Sequence, residues 1–141
     1  MRPEGLLPAS AGEYNGTVDS LHAGDLQIDV LERESSVLLF WLGMSNERQA
    51  EKVLKPFFAT VLGAAQAGNK TVELHFERIE RFNNSTILCI IQLIQDAWHR
   101  QIKLEAVYDE TRKWQRLSFD ALRIFAKADG LFSLRPAAET K

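Results

Sequence analysis

The sequence predicts an α/β domain in which strands alternate with helices around a mixed sheet. Three observations carry that prediction. Short runs of strand length are either continuously apolar or alternate apolar with polar, longer segments repeat apolar residues at helical spacing, and capping or turn residues separate the two kinds. The expected order is β-β-α-β-α-β-α with a last edge strand, giving a four- to five-stranded mixed sheet and three main helices.

Order is expected from residue 25 to 135, with Met1–Gly24 as a mobile tail because it is rich in Gly, Ala, Pro and Ser and has neither period. Residues 136–141 form a short polar C-terminal tail. Leu26 to Leu31 alternates as a strand with one wet face does, and Glu32 to Ser35 offers a tight turn. Val37 to Leu42 is continuously apolar, the signature of a strand covered on both faces, and Gly43 is expected to end it. The two runs read as an antiparallel hairpin.

Ser45 and Asn46 offer an N-cap for the next segment, where Leu54, Phe57, Phe58, Val61, Leu62 and Ala65 recur at helical spacing. Pro56 either lies in the first turn of that helix, the favoured reading, or kinks a longer one. Gly68-Asn69 is a C-cap pair. Thr71 to Phe76 alternates again, with Val72, Leu74 and Phe76 inward and Glu73, His75 and Glu77 sharing the opposite face. A second helix follows Asn83-Asn84-Ser85-Thr86, with Asn84 or Ser85 as its cap and Ile87, Ile90, Ile91, Ile94, Ala97 and Trp98 on one face. Ile102 to Val107 is the next strand. Trp114, Leu117, Ala121, Leu122 and Phe125 mark a third helix that Gly130 closes, and Leu131 to Leu134 supplies the edge strand.

Composition narrows function more than it names it. The chain has 141 residues, is 45% hydrophobic and 26% charged, and carries a formal net charge of −2. That suits one domain with its own core and gives no global basic field for nucleic acid or an anionic membrane. No apolar run approaches the about 20 residues that span a bilayer, and no signal peptide is recognisable, so a cytoplasmic location is expected. The single cysteine, Cys89, sits in an apolar run and reads as a small core hydrophobe rather than a disulfide, zinc or nucleophile residue. His22, His75 and His99 lack metal-ligand spacing, so no metal and no cofactor is expected. Glycine loops for phosphates and the motifs of serine or zinc hydrolases are missing, and nothing nominates a base for Ser85. A catalytic role is therefore not expected.

The stretch from Arg81 to Ile87 is the informative one, because Asn83-Asn84-Ser85-Thr86 holds more small polar residues than one helix cap needs. Trp114 and Arg116, beside Arg112-Lys113, add aromatic and cationic groups of the kind enriched in interface hot spots, although Trp114 also fits a core anchor. The expected partner-binding residues are Asn83, Asn84, Ser85, Thr86, Trp114 and Arg116.

With its element order, the loop Phe82-Asn83-Asn84-Ser85-Thr86-Ile87 and the later Lys113-Trp114-Gln115, the chain resembles the STAS domain of bacterial anti-sigma-factor antagonists over about Leu26 to Leu134. The resemblance implies a STAS-like fold and a non-enzymatic regulatory protein that binds a partner. It implies further that a loop Ser or Thr is phosphorylated by a GHKL-type serine kinase that is itself the anti-sigma partner, and dephosphorylated by a PP2C-like phosphatase. The register that matches Ile87 to the family's apolar helix start puts Asn83 at the family's Asp and Asn84 at its acceptor position. Shifting by one makes Ser85 the acceptor, with Ile87 in place of the family's Gly. The phospho-acceptor candidates are thus Ser85 and Thr86. A constitutive scaffold subunit of a sensory complex and, behind it, a small-ligand-binding domain are the alternatives, and a homodimer is left open.

Overall fold

A computed structural model describes residues 18–127 and 129–137. The fold is α/β, with a seven-stranded mixed sheet and three helices. Strands β1 (Leu21–Ala23), β2 (Leu26–Glu32) and β3 (Ser36–Ser45) form an antiparallel meander, with Ile28 opposite Trp41 and Val30 opposite Leu39. Arg33 donates its amide to the Ser36 carbonyl at 2.8 Å and closes the turn between β2 and β3. From β3 onward every pairing is parallel: β4 (Thr71–His75) lies on β3, β6 (Leu104–Tyr108) on β4, and β7 (Phe132–Pro136) on β6 at the edge.

Two strands enlarge the expected four- to five-stranded sheet to seven. β1 falls inside the expected tail, of which residues 1–17 lie outside the described residues. β5 (Ile79–Phe82) continues the line of β4 and pairs with the far end of β3. Its burial order of buried, exposed, exposed, buried has no period of two, so it left no strand pattern to read. At the C-terminus, Pro136 belongs to β7 rather than to a tail, and residues 138–141 lie outside the described residues.

Gly43 does not end β3. It kinks the strand at a φ of 81°, where the pairing with β5 shifts register, and Met44 then donates to the Asp25 carbonyl at 3.0 Å. A Cβ at this position would lie 2.1 Å from the Asp25 carbonyl oxygen, so only glycine lets the two backbones approach. The kink carries β3 on to Ser45, which therefore sits in the interior instead of capping a helix.

Helix α1 (Glu51–Gly68) starts behind an Ala50 cap position that has no side-chain bond, and Pro56 lies within it, past the first turn. Both Pro56 and Lys52, whose carbonyl loses its amide partner, are exposed, so the missing bond faces water rather than the core. The C-cap is as expected: Asn69 is left-handed at φ 54°, and Lys70 donates to the Ala65 carbonyl at 2.8 Å. Helix α2 (Asn84–His99) buries Thr86, Cys89, Ile90, Leu93, Ile94 and Ala97, while Trp98 stays 36% exposed.

Helix α3 (Lys113–Leu122), followed by a 3-10 turn over Arg123–Phe125, departs most from expectation. It buries Gln115, Phe119 and Leu122, whereas Leu117 is 56% exposed and Ala121 lies at the surface. Phe119 wins the inward position because it stacks on Tyr108 with centroids 5.3 Å apart and meets Phe76 at 4.9 Å. The inward faces of all three helices join Leu39, Trp41, Val72, Leu74 and Ala106 in one core.

Replacing Gly43 by alanine is expected to destabilise the protein by about 2 kcal/mol or more, since left-handed strain adds to the clash with Asp25. Urea unfolding measures this, and an unchanged midpoint would contradict the role given to the kink.

Candidate functional site

The expected partner-binding loop is built where β3, β5 and α2 meet. Asn83 is extended and caps α2, its Oδ1 accepting the Thr86 amide at 3.0 Å and the Thr86 hydroxyl at 2.8 Å. The cap is thus Asn83 rather than Asn84 or Ser85. The rest of Asn83 is also committed: its Nδ2 donates to the Glu47 carbonyl at 2.9 Å and its amide to the Ser45 carbonyl at 3.0 Å. The Ser45 and Thr86 hydroxyls lie 2.6 Å apart. Since Thr86 gives its proton to Asn83, Ser45 donates to Thr86, and both hydroxyls are satisfied in the interior.

This arrangement separates the two phospho-acceptor candidates. Thr86 is 0% exposed, so no kinase reaches its hydroxyl in the folded domain. Ser85 is half-buried, and its Oγ accepts the Ala50 amide at 3.2 Å while donating to Glu51 Oε1 at 3.3 Å. It therefore touches the N-terminal ends of α1 and α2 together, where backbone amides present positive potential. Glu51, Lys55, Ser85, Leu88, Cys89 and Gln92 line an open cleft of 350 Å³ between these helices. Leu88 is 66% exposed and Asn84 is exposed beside it. Cys89 is buried, and desolvation pushes its thiol up, which keeps it protonated and inert.

Of the two residues expected from α3, Trp114 joins the site from below. Its half-buried ring meets Phe82 edge-on at 5.0 Å, directly before Asn83, with the Arg112 guanidinium 5.7 Å from its centroid. Arg116 is exposed and reaches back to the Glu110 carbonyl at 3.3 Å.

Gln115, which the sequence marks only within the Lys113-Trp114-Gln115 stretch and without a role of its own, is 0% exposed. Its Oε1 accepts the Asp109 amide at 2.8 Å, and its Nε2 donates to the Phe76 carbonyl at 2.8 Å and the Ile79 carbonyl at 3.3 Å. Arg112 adds bonds to the Glu77 and Ile79 carbonyls at 3.2 and 2.9 Å. Together they bridge the break between β4 and β5, where the Phe76 carbonyl also accepts the Ile79 amide at 3.3 Å. A glutamine between a tryptophan and an arginine gives no hydrophobic signal, so only the buried partners reveal it. Ser45, Glu51 and Leu88 were also passed over as parts of this site.

On the face opposite the described helices, Glu73, His75 and Glu77 align as expected. His75 Nε2 lies 3.0 Å from Glu73 and Nδ1 3.2 Å from Glu77, and the ring stacks on Phe40 at 4.8 Å. Only the imidazolium offers both carboxylates an N–H. The Glu77 hydrogen bond, against the opposing effect of burial, holds His75 above its ordinary 6.5, with Glu73 helping. Burial, the largest single influence, would raise Glu77, but the His75 bond, its own backbone amide and the charges of His75 and Arg135 together outweigh it and hold the carboxyl below its ordinary 4.5. Across the sheet, Arg135 also favours ionised Glu77 while pairing with Glu105 at 3.0 Å. Among the described residues no three His, Cys, Asp or Glu side chains are disposed to hold a metal ion, and no helix is long and apolar enough to cross a membrane.

The sequence matches no protein-family model and no curated protein.

The His75 trio gives a pH dependence of defined sign. A raised histidine contributes stability that is complete below 6.5 and lost as pH rises through its folded-state value, while the lowered Glu77 contributes above 4.5 and loses it as pH falls. The stability difference between the wild type and His75→Gln is therefore expected to be largest between pH 4.5 and 6.5 and to shrink toward pH ~9. Urea unfolding across that range checks it, and a difference independent of pH would contradict the charged bridge.

Proposed function

We propose that this chain is a STAS-like, non-enzymatic regulatory module of the bacterial cytoplasm that binds a partner protein through the loop Asn83–Thr86 and the start of α2. Phosphorylation of Ser85 is the proposed switch. The observation that carries the reading is the position of the Ser85 hydroxyl at the meeting of two helix N-termini, beside the 66%-exposed Leu88. An exposed leucine next to small polar groups and a shallow cleft suits a contact surface better than a catalytic pocket.

A phosphate on Ser85 would add a charge of about −1.5 to −2 and displace the hydroxyl's bonds to Ala50 and Glu51. Helix amides attract it, whereas the Glu51 carboxylate repels it, so the modified loop would have to rearrange. A change of about 1.4 kcal/mol at such a surface alters affinity tenfold. By resemblance, the partner would be a GHKL-type serine kinase acting as an anti-sigma factor, with a PP2C-like phosphatase restoring the serine. Asn84 and Leu88 would touch the partner, while Asn83, Thr86 and Trp114 would hold the loop in shape. The second reading, a constitutive scaffold subunit without a switch, draws support from the Ser85 hydroxyl being already engaged in two bonds within the domain.

The test is site-mapped phosphopeptide analysis of the protein isolated from its host, together with partner capture by the wild type and by Ser85→Ala, Ser85→Asp and Leu88→Asp. Ser85 is expected to carry phosphate, Ser85→Ala to retain the partner, and the other two variants to lose it at least tenfold. An unmodified Ser85 with capture indifferent to Ser85→Asp would support the scaffold instead.

A further inference from the structure

We infer that α3 carries a second docking surface, built to receive an acidic amphipathic helix of a partner protein. Leu117 and Ala121 lie one helical turn apart on the exposed side of α3, and Ile124 follows three residues later in the 3-10 turn. Leu117 is 56% exposed and Ile124 is 78% exposed. The core does not use this stripe, because α3 already buries Gln115, Phe119 and Leu122. Spacing of i, i+4 and i+7 is the seam on which a second helix packs, and the small Ala121 between two branched residues allows close approach.

Charge selects the partner. From Lys113 to Lys127 the chain carries four exposed cations, Lys113, Arg116, Arg123 and Lys127, against one carboxylate, Asp120. Arg123 takes that carboxylate at 3.2 Å. This basic flank belongs to a chain whose formal net charge is −2, so it is a local feature rather than a reflection of overall composition. Cations beside an apolar seam favour a partner helix that brings leucine or isoleucine to the seam and glutamate or aspartate to its edge. Two large aliphatic side chains and an alanine, spread over a ten-residue helix and the 3-10 turn after it, offer little to insert into a bilayer, which favours a protein partner. The stripe is distinct from Ser85, which lies at the N-terminal ends of α1 and α2, and of α3 only Trp114 packs under that loop.

The test uses the full chain, labelled with 15N, and a synthetic helical peptide with leucines at heptad spacing and flanking glutamates. Amide shifts are expected within residues 113–127 at sub-millimolar peptide, weakening as salt rises. The variant Leu117→Ser/Ile124→Ser should bind at least tenfold more weakly with an unchanged thermal midpoint, whereas Ser85→Asp should bind as the wild type does. Absent shifts, shifts elsewhere, or equal binding of the same peptide with lysine flanks would overturn the inference. So would stripe-dependent capture by phosphatidylserine vesicles, which would assign the surface to a membrane. Stripe-dependent dimerisation of the chain without peptide would assign it to self-association and overturn it equally.

Discussion

A chain of three polar side chains, the buried Ser45 and Thr86 and the half-buried Asn83, decides where β3 ends and where α2 begins. Each of these groups would cost about 1–3 kcal/mol if left dry and unpaired. They avoid that cost together, with Ser45 donating to Thr86, Thr86 to Asn83, and the Asn83 amide returning to the Ser45 carbonyl. The ring of bonds joins residues more than 35 positions apart, so it forms only once the sheet and helix have met. Ser85 is held next to it, at the cap of α1, without being part of it. The interior hydroxyl and the accessible one are neighbours in sequence with opposite duties.

The same logic governs the other side of the fold. Between Phe76 and Ile79 the strand line breaks, and the carbonyls at the break are claimed by Gln115 and Arg112. Anchoring α3 by Gln115 fixes its rotation, and Phe119 then packs among Phe76, Phe82 and Tyr108. Leu117 and Ile124 are left outside as a consequence. A buried glutamine thus determines which apolar stripe of α3 becomes surface.

The sequence made the alternation of strands and helices legible because the β2–β3 hairpin, β4 and α2 carry clear periodicities. Glu73, His75 and Glu77 were readable as one face for the same reason. β5 was not readable, because Ile79 and Phe82 are three apart and give no alternation. α3 misled because it carries two apolar stripes, and period alone cannot say which one the core will take. The Asn83–Thr86 loop stood out by composition, but the division of labour within it depended on Ser45, a residue 41 positions away from Thr86.

The hydroxyl relay holds Thr86 inside as scaffold and leaves Ser85 half-buried at the edge of the cleft. Amide hydrogen exchange of Thr86→Val, compared with Ser85→Ala, addresses it most directly. The valine removes both the proton that Asn83 accepts and the oxygen that Ser45 donates to, so stability should fall by about 1–3 kcal/mol. Exchange at the Asn83 and Thr86 amide positions should accelerate, whereas Ser85→Ala should leave those two amides protected. Equal protection in both variants, with stability unchanged by the valine, would contradict the account.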